Sequence, residues 1–243
     1  LFSFVNIAWD FGATLTKENN GKFTANINTP EAIAAMQYVK DLKWKYDCLT
    51  ADPTKEDWAS GFVNLGTGAA AMYIGANDAV NQPTQVNKLP TKDLALVPIP
   101  AGPKGQYSLS GGTPYMFAKN ATKEEISAAL DYIEIMGKSP MTSTNALKGM
   151  YADARSRVSK GVPVLPVFPA WTDPTFLEAN AKITKENSNI DMKLYQDYFD
   201  AVKKPGNLHF EEVGSAQDLY SELTKVIQAV VTDKNTDIPK MMA

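Results

Sequence analysis

The segment Trp58-Ala59-Ser60-Gly61-Phe62-Val63-Asn64-Leu65-Gly66-Thr67-Gly68-Ala69-Ala70-Ala71-Met72-Tyr73-Ile74-Gly75-Ala76-Asn77 changes character halfway. Its first half has Trp58 and Phe62 four apart, the spacing of one helical face, and predicts a helix near Glu56 to Leu65 that buries both. Gly66 and Gly68 then stop it. The second half, Ala69 to Ile74, is short and continuously apolar, and predicts a buried strand. Helix, glycine stop and buried strand in that order imply an α/β protein.

The same alternation extends both ways. Gly21 to Ile27 reads as a strand or hairpin edge. Thr29-Pro30-Glu31 supplies an N-cap, a first-turn proline and an acid for a helix carrying Ile33, Met36, Tyr38, Val39 and Leu42. Leu94 to Ile99 reads as a second buried strand and Tyr115 to Ala118 as a third. Between them, the Pro- and Gly-dense stretch Pro98 to Pro114 is too rich in breakers for regular structure and predicts a crossover. Thr122 and Glu125 form a capping box for a helix ending near Gly137, with Ile126, Ala129, Leu130, Ile133 and Met136 on its apolar positions. A second irregular stretch, Gly161 to Pro174, holds Pro163, Pro166, Pro169 and Trp171. Asp173-Pro174 opens a helix near residues 175–185, and another follows near 191–202. The last helix is capped by Ser215 with Asp218, and Leu219, Leu223, Val226, Ile227, Val230 and Val231 share one face.

Composition removes several function classes. The 243 residues carry 24 Lys+Arg against 27 Asp+Glu, a net charge of -3 that offers no basic face for nucleic acid. One Cys, Cys48, rules out a disulfide framework, and one His, His209, rules out paired-histidine metal sites and leaves a His-based triad little room. Gly66-Thr67-Gly68-Ala69-Ala70-Ala71 mimics a dinucleotide fingerprint, but it ends a helix where that fingerprint must open one. Asp233 to Asp237 has the first ligand spacing of a calcium loop, yet Ile238 stands where the loop requires glycine. Asn120-Ala121-Thr122 is a sequon whose Thr is already a helix cap. No cofactor or metal is expected.

Trp9, Tyr107, Tyr115 and Trp171 are placed by the sequence in loops or at strand ends, where aromatic faces can stack on the apolar faces of sugar rings. Asn77, Asp78, Asn81, Gln82, Glu212 and Gln217 supply polar groups for a hydroxyl rim. Trp58 is read as core.

The ordered segments resemble the extracellular solute-binding proteins of ABC importers, in the carbohydrate-binding, maltodextrin-binding-protein-like group. The resemblance rests on Gly21-Lys22-Phe23-Thr24 through Asn28-Thr29-Pro30-Glu31; on Trp58, Phe62, Gly66 and Ala69-Ala70-Ala71-Met72 leading into Gly75-Ala76-Asn77; on Leu96-Val97-Pro98-Ile99-Pro100 with Gly102-Pro103; on Gly111-Gly112 with Ala118-Lys119-Asn120-Ala121-Thr122; and on Glu212 to Tyr220 with its helix. It implies a type II periplasmic-binding-protein-like α/β fold, helix-rich, comprising most of one lobe plus the helical part of the other. Residues 1–112 and 165–243 would form the main lobe, and 113–164 the helical segment of the other. The start at Leu1 and the absence of a signal segment are read as those of a piece of a longer receptor.

The resemblance further implies a binding protein rather than an enzyme. It would capture a mono- or oligosaccharide by lobe closure and hand it to an ABC permease. It would work as a monomer, outside the cell or in the periplasm, its parent tethered by a lipid. Carried over by position, Gly75, Asn77, Asp78, Gly111, Gly112 and Thr113 should face the ligand, Trp9 and Trp171 should stack on it with Tyr115 nearby, and Glu212 and Gln217 should flank the entry to the last helix. Two other readings stay open: a glycan hydrolase using a carboxylate pair such as Glu211-Glu212, and an interaction module with no small ligand.

Overall fold

The computed structural model describes residues 2–112, 114–166, 168 and 171–243; for Phe2 only the backbone is described. Thr113 and Pro169, both singled out above, lie outside the described residues. The chain folds as two compact units. One holds Leu1–Asn77, Ala95–Gly112 and Lys193–Ala243; the other holds Asp78–Leu94 and Thr113–Met192. The passage from first to second unit at Gly112 falls inside the Pro/Gly-dense stretch. The second unit is wider than the 113–164 segment: it takes in residues 78–94 and continues to Met192.

The first unit begins with α1 (Phe2–Asp10), followed by an antiparallel hairpin of β1 (Thr16–Asn19) and β2 (Lys22–Ala25), then α2 (Pro30–Trp44) and α3 (Trp58–Thr67). Asn20 and Gly21 make the hairpin turn, both with positive φ. Thr29 caps α2 by accepting from the Ala32 N–H at 3.2 Å, with Pro30 in the first turn. After the excursion into the second unit, β3 (Ser108–Leu109) pairs in parallel with the later β4 (Leu208–His209), which follows α7 (Gln196–Lys203). The chain closes with α8 (Ala216–Thr232) and α9 (Ile238–Met241). α8 is the spine of this unit: Leu219, Leu223, Val226, Val230 and Val231 are buried among Phe4, Val5, Ala8, Ala32, Ala35 and Met36, with Ile227 packed at the edge. The Ser215 side chain makes no capping bond, contrary to the expectation, so α8 is held by this apolar stripe.

α1 carries two polar residues into the core, Asn6 and Asp10, and β3 explains both. Asn6 Oδ1 accepts from the Leu109 N–H, and Asp10 Oδ1 accepts from the Tyr107 N–H, each at 2.5 Å. Four residues of helix rise about 6 Å and two residues of strand about 6.7 Å, so side chains at i and i+4 on a helix match alternate N–H groups of a strand. α1 thereby substitutes for a neighbouring strand along β3. The main chain follows closely: Lys104 N–H donates to Asp10 O at 2.9 Å, and Gly102 is pressed so tightly there that a Cβ would sit 2.5 Å from Asp10 O.

The second unit contains α4 (Lys123–Ile135), α5 (Thr144–Ser159) and α6 (Pro174–Glu186). Its small core is Ala154, Val164 and Ile183, flanked by Leu147, Met150 and Tyr151. Asn189 pins the chain after α5: its Oδ1 accepts from Val164 N and its Nδ2 donates to Val162 O, both at 2.9 Å. The Asp173 cap and the Thr122–Glu125 capping box form as expected. Thr122→Ala should lower the local stability of α4 by about 1 kcal/mol. Hydrogen exchange of the α4 amides checks this.

Six sequence expectations fail here. Ala69 to Ile74 is not a buried strand: Met72 is 84 % exposed, and the residues are irregular. An apolar run becomes a strand only where a ladder partner exists, and none pairs with it among the described residues. Tyr73 instead turns back onto Phe62, with ring centroids 4.8 Å apart, over Gly61. Leu94 to Ile99 is irregular: Leu96 N–H donates to Leu194 O at 3.2 Å, but Pro98 and Pro100 remove donors a ladder needs. Tyr115 to Ala118 is also irregular and exposed. Trp58 is 56 % exposed rather than core, resting edge-on against the buried Phe62. Gly66 lies inside α3, and Gly68, with φ 78°, is the left-handed cap that ends it. The single helix expected over 191–202 divides into a short turn at Met192–Leu194 and then α7.

Candidate functional site

Trp9, read above as a loop residue, lies on α1 and is 7 % exposed. Its indole Nε1–H donates to Glu212 Oε1 at 2.9 Å across 203 residues of sequence. The same carboxylate accepts from Leu15 N–H at 3.3 Å and, through Oε2, from the Thr16 hydroxyl at 2.7 Å. Glu212 thus ties the loop before α8 to the end of α1 and the start of the hairpin. Adjacent Glu211 turns elsewhere and accepts from the Tyr220 hydroxyl at 3.2 Å. Burial, with Glu211 beside it, pushes that phenol up to about 12. The two neighbouring carboxylates therefore serve different partners.

Around Trp9 and Glu212 the first unit forms a cavity of about 300 Å³, whose other walls are residues 12–14, Tyr107 and His209. The His209 ring lies 5.1 Å from Trp9 and 4.7 Å from Tyr107, centroid to centroid. β3 and β4 set this arrangement: Leu109 is level with His209, and Tyr107, two residues before Leu109, falls on the same face of the ribbon as His209. His209 Nε2 sits 3.0 Å from Gly206 O, so this nitrogen carries the hydrogen.

Asp10, next to Trp9, is 2 % exposed, and its Oδ2 has no hydrogen-bond partner among the described residues. Burial pushes its carboxyl up to about 6; the Tyr107 N–H and the nearby His209 offset part of that rise. Its place at the C-terminal end of α1 also disfavours negative charge. Because the folded value lies above the ordinary 3.8, Asp10 adds stability at low pH that is lost as pH rises through about 6. We expect the first unit of Asp10→Asn to vary less in stability between pH 4.5 and 7.5 than wild type, by roughly 1–3 kcal/mol. Urea midpoints at the two pH values measure it, and an unchanged pH dependence would refute the assignment.

Of the residues chosen from sequence, the structure joins Trp9 and Glu212 directly. Gly75, Asn77, Gly111, Gly112 and Gln217 belong to the same unit, are exposed, and do not line this cavity. Asp78, Tyr115 and Trp171 are exposed residues of the second unit. Thr113 lies outside the described residues. Sequence reasoning used His209 only to exclude paired-histidine metal sites and limit a triad, and passed over Asp10. The available signal for Asp10 was a pair of polar residues, Asn6 and Asp10, spaced i and i+4 in an otherwise apolar helix. Among the described residues no group of three or more His, Cys, Asp or Glu is placed to hold a metal, and no helix is long and apolar enough to cross a membrane.

Helices with sparse, short strands fit the helix-rich α/β fold of the periplasmic-binding-protein type. The profile of the family described as bacterial extracellular solute-binding protein matches residues 4–139, more than half of the chain, and the chain belongs to that family. Membership makes it a solute receptor for an ABC importer, with its place of work outside the cytoplasmic membrane. No curated protein matches the chain closely enough to add to this.

Proposed function

We propose that the solute is a carbohydrate, captured for delivery to the permease with no bond made or broken. The observation that carries this is the cavity where Trp9, Tyr107 and His209 stand around the Glu212 carboxylate. Aromatic walls suit the apolar faces of a sugar ring, and a carboxylate suits its hydroxyl rim. The volume lies at the lower end of the range for small-molecule pockets, which favours one or two sugar rings. Lobe closure of the kind used by periplasmic binding proteins would complete the capture. The exposed positions Gly75, Asn77, Asp78, Gly111, Gly112, Tyr115, Trp171 and Gln217, and Thr113 with them, are proposed as further ligand-facing groups on the strength of the family resemblance. A lipid tether and a monomeric state belong to the same reading.

Isothermal titration against a panel of mono- and oligosaccharides tests it. Saturable binding by at least one sugar, lost in Tyr107→Ala at unchanged melting temperature, is the expected result. No heat and no thermal shift with any sugar would refute it, and turnover of a chromogenic glycoside would move the protein to the hydrolases.

A further inference from the structure

The hydrogen-bond accounting of the cavity discriminates among sugars. Many of its donors are engaged within the protein. The Trp9 indole N–H, the Leu15 N–H and the Thr16 hydroxyl all donate to Glu212. The Gly12 and Ala13 N–H groups donate to Trp9 O and Ala8 O at 2.7 and 2.9 Å. The Tyr107 N–H is held by Asp10, its hydroxyl faces Lys104 O at 3.4 Å, and the His209 Nε2–H faces Gly206 O. The Thr14 hydroxyl can serve either way.

The acceptors are less occupied. Glu212 Oε2 takes one donor where it has two lone pairs. The aromatic faces add negative quadrupole. Behind the wall, Asp10 is a second carboxylate, with one oxygen lacking a hydrogen-bond partner among the described residues. Glu212 and His209 line the cavity, and Lys104 lies beside it. Lys104 meets Asp10 through its backbone N–H and lays its exposed side chain along Gly12.

We infer that this cavity selects solutes bearing a protonated amine, an amino sugar being the member of that class that fits the proposed carbohydrate function, and rejects anionic sugars. The inference rests on that function. An ammonium brings donors to the Glu212 carboxylate and the ring faces, where a phosphate or carboxylate would meet that like charge and find the Trp9, Leu15 and Thr16 donors already engaged.

The test is calorimetric titration of the protein at pH 7 with glucosamine, N-acetylglucosamine, glucose, glucose 6-phosphate and a linear diamine. Glucosamine should bind at least about tenfold more tightly than glucose or N-acetylglucosamine, and glucose 6-phosphate should not bind detectably. Glu212→Gln should bring glucosamine and glucose within about threefold of each other. The wild-type comparison stands by itself should that variant fold poorly. Equal binding of neutral sugars, or tighter binding of the phosphate, overturns the inference and leaves the carbohydrate function standing. Binding of the diamine with no sugar bound overturns the carbohydrate function and keeps the selectivity for amines. No binding of any probe overturns both.

Discussion

Leu223→Ala should destabilise the first unit by about 3 kcal/mol, within the 2–5 kcal/mol range of buried leucine truncations. Leu223 is 0 % exposed at the centre of α8, in one core cluster with residues of α1 and α2 that are themselves fully buried, among them Val5, Ala35 and Met36. Such a site cannot collapse around the lost methyls, because its neighbours are fixed by their own helices, so a cavity remains. For a chain of this length the melting transition of that unit should fall by roughly 6–12 °C. Leu130→Ala is the matched control. Leu130 sits on the expected apolar stripe of α4 but is exposed, as are Ile135 and Met136, and α4 has no buried residue. Its truncation should change stability by no more than about 0.5 kcal/mol. Equal losses for the two leucines in urea melts would contradict the assigned core.

Glu212→Ala should cost the first unit about 2–3 kcal/mol and abolish solute binding. The substitution removes the acceptor of three donors, leaving the indole N–H of Trp9 and the Leu15 N–H without a protein partner. Orphaned donors cost roughly 1–3 kcal/mol each, and water admitted through the adjoining cavity recovers part of that. Glu212→Gln can keep its amide oxygen for the Trp9 and Leu15 donors and turn its N–H₂ toward the Thr16 hydroxyl, which must rotate to accept, so an intermediate loss is expected. Near-ultraviolet circular dichroism reads the release of Trp9 from its fixed setting, and urea titration reads the stability. Wild-type stability in Glu212→Ala would show that the clamp holds nothing.

Much of the local structure was legible in the residues. The caps at Thr29, Thr122 and Asp173 and the apolar stripe of α8 follow from short-range rules: a side-chain oxygen reaches an N–H three residues on, and a 3.6-residue period selects a face. The ordered segments also led to the right family, since each records a local turn or stripe. The site was legible only in part. Trp9 and Glu212 were both chosen from sequence, but as a stacking platform and a loop residue, not as partners. Trp9 is nearly buried, and the faces that wall the cavity with it come from Tyr107 and His209.

What the sequence determined by itself is therefore the presence of α2, α3, α4, α6 and α8, the caps at Thr29, Thr122 and Asp173, and the class of the fold, because those depend on contacts within one or two turns of chain, whereas α1 and α5 were not read from it. What only the tertiary structure decided is pairing. Ala69 to Ile74 has the composition of a strand and no ladder to join, whereas Ser108-Leu109 and Leu208-His209, two residues each, become strands because they find one another. The same long-range docking brings Glu212 to Trp9, places His209 between two aromatic rings, and buries Asp10 against β3 with its charge incompletely matched. The physical reason is that a hydrogen-bonding edge, a cavity wall or a desolvated carboxylate is a property of two segments at once, and no local pattern records where the second segment will be.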